Sequence, residues 1–254
     1  MEASWALVGV VAVLGLLIGS FLNVLILRLP VGESIVAPGS RCPHCKTPLR
    51  WYHNVPLVSW LVLGGRCAFC KESIGWLYPA VEASTAVIWG ANVAAYGLTP
   101  ETARAILFLT LLLAIAVTDA RFYIIPDELS LGGAALGLVL SLLPGGPALL
   151  DSLIGAVVGG AVLWVVAIVG RWAFKKDAMG GGDIKMLAMV GAFLGWRGAL
   201  LTIFLGALAG TLIFVPLAWK SDKLVPFGVF LALGAGLAFY VGDDLLRWYT
   251  GSFV

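Results

Sequence analysis

Charge is what this 254-residue sequence has least of. Asp, Glu, Lys and Arg together make up 12% of it, about half the share usual in a soluble domain. Hydrophobic residues make up 61%, and the mean hydropathy is +1.01. A water-soluble fold of this length has too little interior to hide so much apolar surface, so most of the chain must be solvated by lipid. A net charge of +2 leaves bulk electrostatics with no case for a nucleic-acid partner.

Further absences narrow the class. The first apolar run, Trp5 to Leu27, has no basic segment ahead of it, only Glu2, and is too long for the apolar part of a secretory signal. It reads as a retained first span with its N-terminus outside. The residue-by-residue alternation of a membrane strand is missing, which leaves helices, whose backbones satisfy their own hydrogen bonds in lipid. The glycine-rich strand–helix fingerprint of soluble nucleotide binders is also missing.

What is present is a series of apolar runs, at about 5–27, 76–96, 103–120, 129–144, 151–170, 184–196, 198–218 and 226–246. About 20 residues are needed to cross the hydrocarbon, and 129–144 and 184–196 are short. The expected fold is an all-α polytopic membrane protein of about eight transmembrane helices. Its 32 glycines suit close helix–helix approach, as in Gly155 to Gly159 and Gly206 to Gly210. With eight spans and the N-terminus outside, Arg28, Arg41, Lys46, Arg50, Arg66, Lys71, Arg121, Arg171, Lys175, Lys176, Lys185, Lys220 and Lys223 lie inside. Of the 16 basic residues only Arg104, Arg197 and Arg247 stay outside, a strong positive-inside bias. The expected organisation is a first helix over 1–27, a cytoplasmic loop over 28–75 and a seven-helix membrane domain over 76–254.

That loop is the one long hydrophilic insertion, and it holds all four cysteines, as Cys42-Pro-His-Cys45 and Cys67-Ala-Phe-Cys70 with 21 residues between the pairs. Four thiolates at this spacing can close a tetrahedral site around zinc. Two disulfides are the alternative, but the positive-inside count puts the loop in the reducing cytosol, where structural disulfides rarely persist. With all four ligands drawn from protein, no position is left for substrate, so the metal would be structural.

Acids near hydrocarbon carry the most information. Asp119 ends the third run and Asp183 opens the sixth, behind Gly180-Gly181-Gly182. The third run goes outside to inside and the sixth returns, so both carboxylates fall at one, cytoplasmic, boundary. Peptide hydrolysis by a carboxyl pair needs one ionised group to activate water and one protonated group to polarise the carbonyl. Two carboxylates brought close cannot both ionise, so they hold one proton between them. The glycines allow a sharp turn and leave an extended peptide unobstructed. Taken singly, Asp183 also reads as a helix N-cap and Asp119 as a solvated interfacial charge.

In its ordered motifs the sequence resembles the prepilin peptidases, the aspartic leader peptidases of type IV pilin and type II secretion systems. The residues that carry the resemblance are Gly19-Ser20-Phe21-Leu22-Asn23-Val24 with Arg28-Leu29-Pro30, the two CxxC knuckles, Asn54 to Leu61, and Tyr78-Pro79-Ala80-Val81-Glu82. They continue with Asp119, Ile125-Pro126-Asp127-Glu128-Leu129, the GxGD motif at Gly180 to Asp183 with Lys185, and Pro226-Phe227-Gly228. The resemblance implies that Asp119 and Asp183 are catalytic. It implies a prepilin or pseudopilin substrate cut at the cytoplasmic face of the bacterial inner membrane. It also implies, in many members, N-methylation of the new terminus from S-adenosylmethionine.

Other residues have more than one reading. Glu82 lies within the second span and either grips a basic leader or substrate amine, or pairs with Arg28. Asp127 and Glu128 suit the start of a helix dipole, and Asn23 suits packing between helices. The rival assignments are a proton-coupled transporter with intramembrane carboxylates and a membrane-anchored zinc adaptor. Transporter sites usually lie near the bilayer midplane in related repeats, and no matching halves are visible here.

Overall fold

The computed structural model describes residues 4–175, 179–218 and 226–251. Of the residues counted toward the inner side, Lys176, Lys220 and Lys223 lie outside that set. The helices are α1 (Trp5–Arg28), α2 (Val58–Val62), α3 (Leu77–Tyr96), α4 (Pro100–Phe122), α5 (Asp127–Leu140), α6 (Leu149–Phe174), α7 (Gly181–Ala218) and α8 (Phe227–Gly251). Short 3-10 turns occupy Leu29–Val31 and Trp51–Asn54. Among the described residues there is no strand, only the isolated bridges Arg41–Pro48 and Arg66–Ser73. The all-α expectation holds.

Each apolar run of the sequence is helical over most of its length, 129–144 only as far as Leu140, and the ends follow local chemistry. Ser4 caps α1 by accepting the Leu7 N–H at 3.3 Å. Pro126 precedes α5, whose first turn carries Asp127 and Glu128, the sign its dipole favours. The runs 184–196 and 198–218 form two helical arms, together labelled α7, that part at Gly195, whose non-helical φ 71°, ψ 178° only glycine adopts readily. Five helices, α1, α4, α6, α7 and α8, are long and apolar enough to cross a membrane, and the chain is a multi-pass membrane protein. At 14 residues, α5 extends about 21 Å, short of the ~30 Å of hydrocarbon.

The chain forms two compact units, Met1–Ile106 and Leu107–Val254. In the first, α1 packs on α3, and the segment between them folds into the cysteine module. In the second, α7 lies against α5, α6 and α8. The α6–α7 contact is close because Gly155 and Gly191 face each other. A Cβ on either would collide with the other's backbone. Lipid gives helices no hydrophobic reason to associate, so such van der Waals contact carries the packing. Phe108 stacks on Phe193 with ring centroids 4.7 Å apart, both rings buried. On the opposite surface α6 exposes Val157, Trp164, Val169 and Trp172, an apolar face suited to lipid.

Candidate functional site

Asp119 sits in the last turn of α4 and is 6% exposed. The helix ends just beyond it. Tyr123 takes φ 56° and returns its N–H to the Asp119 carbonyl at 2.9 Å, a left-handed cap. The chain then runs through Ile125 and Pro126 into α5. Asp183 lies in the first turn of α7, half-buried, with the Gly180 backbone as a hydrogen-bond partner. The two carboxyl groups are close enough for the charge of one to act on the other. The second unit therefore brings together the two acids that the sequence placed at one boundary.

Two other segments build the site around them. The start of α8 supplies Gly228 and Val229, and the Val229 N–H donates to Asp119 Oδ2 at 3.3 Å. A Cβ on Gly228 would lie 2.9 Å from that same oxygen and 2.9 Å from Ile125 Cδ1. A Cβ on Gly182 would lie 2.9 Å from Ile125 Cβ. Ile125 is thus the buried plug between the two glycines, one beside each aspartate segment. Both motifs are visible in the sequence, but nothing there connects Ile125 to Gly182 and Gly228; only side-chain proximity reveals it.

Lys185, two residues after Asp183 on α7, reaches Asp127 at the head of α5. Its Nζ lies 2.6 Å and 2.7 Å from the two carboxylate oxygens. Asp127, read from the sequence as a helix-dipole residue, is therefore also half of an ion pair that ties the start of α7 to that of α5.

In the first unit the four cysteines converge. Their Sγ atoms all lie within 4.8 Å of one another, with Cys42 and Cys70 at 3.8 Å. Four bonds of about 2.3 Å around a tetrahedral ion put sulfurs about 3.8 Å apart. All four are free thiols, so the two-disulfide alternative is not formed, and the cluster can hold a metal ion. The two knuckles repeat one backbone pattern. The Cys42 N–H donates to Thr47 O and the Lys46 N–H to Cys42 O; likewise Cys67 N–H to Glu72 O and Lys71 N–H to Cys67 O. Lys46 and Lys71 both take positive φ, 59° and 61°. The sequence carried this repeat as Cys-x-x-Cys-Lys, a signal missed in reading it.

Hydrogen bonds from the Thr47 hydroxyl and backbone lower the Cys45 thiol to about 6. Those from the Cys70 and Phe69 backbones hold Cys67 below the usual thiol range. Against a hydrogen bond with the Glu72 backbone, burial and the neighbouring thiols push Cys70 up to about 11. Four thiolates held this close need a cation among them.

Glu82 is 8% exposed on α3, and its Oε2 accepts the Leu57 N–H at 2.8 Å. Of the two readings of Glu82, the pairing with Arg28 does not form. Arg28 instead donates to the carbonyls of Ser34 and Gly39 at 2.8 Å and 3.3 Å, closing the loop after α1 on itself. A backbone N–H satisfies the buried acid without burying a second charge. Asn23, also buried, donates from Nδ2 to the Tyr78 carbonyl at 3.1 Å, linking α1 to α3.

Comparison with known proteins agrees with this division. A family model described as the bacterial peptidase A24 N-terminal domain matches residues 13–96, and one for the type IV leader peptidase family matches residues 106–215. Among curated proteins, the prepilin leader peptidase/N-methyltransferase of Aeromonas hydrophila is 36% identical over 98% of this chain and 96% of its own length. That of Pseudomonas aeruginosa is 37% identical over 93% of this chain and 91% of its own. A relative of the same name from Myxococcus xanthus is 40% identical over 84% of this chain, which spans 64% of that longer protein. No solved structure matches. The transporter reading finds no support in these matches.

Proposed function

The chain belongs to the type IV leader peptidase family, and on that premise we propose that it removes leaders from prepilins or pseudopilins and N-methylates the new terminus. The observation that carries the peptidase reading is the convergence of the Asp119 and Asp183 segments on Ile125, through Gly228 beside the first and Gly182 beside the second, near enough for the Asp119 charge to act on Asp183. One carboxylate takes a proton from water while the other, protonated, donates to the scissile carbonyl; the pair regains its proton arrangement as the amine leaves. The Val229 amide fixes the orientation of the Asp119 carboxyl, and Gly180 to Gly182 leave the approach to Asp183 free of side chains.

The reading extends to placement. The protein sits in the bacterial inner membrane with its N-terminus outside and its aspartates at the cytoplasmic face, which the thirteen-to-three distribution of its 16 basic residues supports. Eight crossings follow if α3 and α5 span and the two arms of α7 on either side of Gly195 count separately. The first helix over 1–27 then leads into the cytoplasmic loop 28–75 and a membrane domain over 76–254. Cys42, Cys45, Cys67 and Cys70 would hold a structural zinc, which ties together a proline-rich loop too small to build a core. S-adenosylmethionine, when bound, would supply an electrophilic methyl group to the freed amine.

The test is processing of a purified prepilin by the wild type, Asp119→Asn and Asp183→Asn, with the mass of the product measured. Cleavage confined to the wild type, with a product heavier by one methyl group, supports both activities. Cleavage retained in either variant overturns the dyad.

A further inference from the structure

The short helix α2 has its polarity turned inside out. Its Ser59 and Trp60 face the space between α1 and the cysteine module, where the Trp60 indole N–H donates to the Ile74 carbonyl at 3.1 Å. Val58, Leu61 and Val62 share another face, at i, i+3 and i+4, and are 55%, 68% and 79% exposed. A helix on a module surrounded by water would show the reverse. We propose that α2 is an interfacial membrane anchor. Its aliphatic face lies in the leaflet at the Arg28 end of α1, so the module is seated on lipid instead of projecting into solvent.

Depth carries the argument. The Leu57 N–H that opens α2 donates to Glu82 Oε2 at 2.8 Å. Glu82 is itself packed on α1, where a Cβ on Gly19 would lie 2.7 Å from the Glu82 Cα. Gly19 precedes Arg28 by nine residues in this membrane-spanning helix, about 13 Å along its axis. One glutamate side chain covers only part of that distance. The head of α2 therefore lies below the level of Arg28, at the headgroup and acyl boundary. Interfacial helices bury their apolar face there by about 5–10 Å. The placement holds whichever side of the membrane that end of α1 faces.

The position is fixed. With five residues, α2 is too short to hold a helix by itself. Glu82 grips its head, and the Trp60–Ile74 bond grips its middle. Leu57, at φ 58° and ψ −49°, turns the chain sharply into it, with the Val58 N–H donating to the Pro56 carbonyl at 2.6 Å.

The surroundings suit a lipid surface. Trp51 and Trp76, 81% and 72% exposed, flank α2 in the chain, and tryptophan favours the headgroup level. Arg41, Lys46, Arg66 and Lys71 of the two knuckles are exposed and form no ion pair among the described residues, which leaves them for lipid phosphates. A leaflet accounts for the aliphatic face, the exposed indoles and the surplus of cations together.

The test uses the purified full chain in nanodiscs of phosphatidylglycerol and phosphatidylethanolamine, with a photoreactive benzophenone amino acid at position 58, 61 or 62. Irradiation should yield phospholipid adducts at all three positions, read by mass spectrometry. With the label at position 58, Leu61→Glu should cut the adduct yield about tenfold as the charge lifts this face out of the acyl region, with bound metal unchanged. Leu61→Met should leave the yield as it was. Should Leu61→Glu lose the metal, the same comparison with Val62→Glu decides. Adducts to a second copy, to residues 107–254 or to added prepilin in place of lipid overturn the anchor. So does the absence of lipid adducts at all three positions, or a yield that glutamate leaves undiminished.

Discussion

Ile125 plugs the space between Gly182 and Gly228, and a single added carbon on either glycine would meet it at 2.9 Å. The contact sets how far the start of α7, carrying Asp183, stands from the start of α8, whose amide holds Asp119.

The first prediction concerns those glycines. Gly182→Ala and Gly228→Ala should each lower leader cleavage about 10²-fold, the effect expected of a roughly 1 Å displacement of a reacting group. Global stability should fall by only about 1–3 kcal/mol. Paired measurement of cleavage rate and thermal unfolding checks it, and relief by Ile125→Ala in the Gly182→Ala background would identify the crowded atom. Equal activity in all variants removes Ile125 as a spacer.

The second concerns the acids themselves. Asp119→Asn and Asp183→Asn should each cost about 10²–10⁴-fold in cleavage, the range for a positioned acid or base. Because the working state holds one proton between two carboxyl groups, the wild-type rate should pass through a maximum with pH. It falls on the acid side when both are protonated and on the alkaline side when neither is. A rate independent of pH from 4 to 10 would count against a shared proton.

The Lys185–Asp127 pair gives a third. With 39% and 56% of the two side chains exposed, the ion pair contributes only about 0–1 kcal/mol to stability. Lys185→Met should therefore leave the unfolding temperature almost unchanged. Its effect should appear in kcat instead, a drop of several-fold, because it ties the turn bearing Asp183 to α5. Partial recovery in the exchanged pair, Lys185→Asp with Asp127→Lys, would separate tethering from general charge.

The fourth concerns the cysteine cluster. Metal analysis of the purified protein should find one tightly held ion, and Cys42→Ser or Cys67→Ser should abolish it. Since site formation and folding are coupled in small metal modules, either variant or a strong chelator should expose residues 28–75 to proteolysis. Full protection without metal would assign the module's order to something other than the ion.

Much of this could be read along the chain. Lipid solvation follows from composition alone, because 61% hydrophobic residues cannot be buried in a water-soluble body of this length. The helices follow from the apolar runs, since lipid leaves a backbone few ways to satisfy itself. The cysteine cluster was legible because its four thiols keep a fixed local spacing. The break between 184–196 and 198–218 was legible too; that it falls on Gly195 with φ 71° was not, because glycine is as common inside these apolar runs as between them.

What only the tertiary structure decided depends on contacts across long stretches of sequence. Covalent order says nothing about which oxygen the Val229 amide meets 110 residues away. Nor does it say that Glu82 satisfies its charge on the Leu57 amide rather than on Arg28. Composition set the solvent and continuous apolar runs set the helices, because both act over neighbouring residues. The partners of the buried acids were decided by packing, where distance in space, not along the chain, determines which dipole reaches which charge.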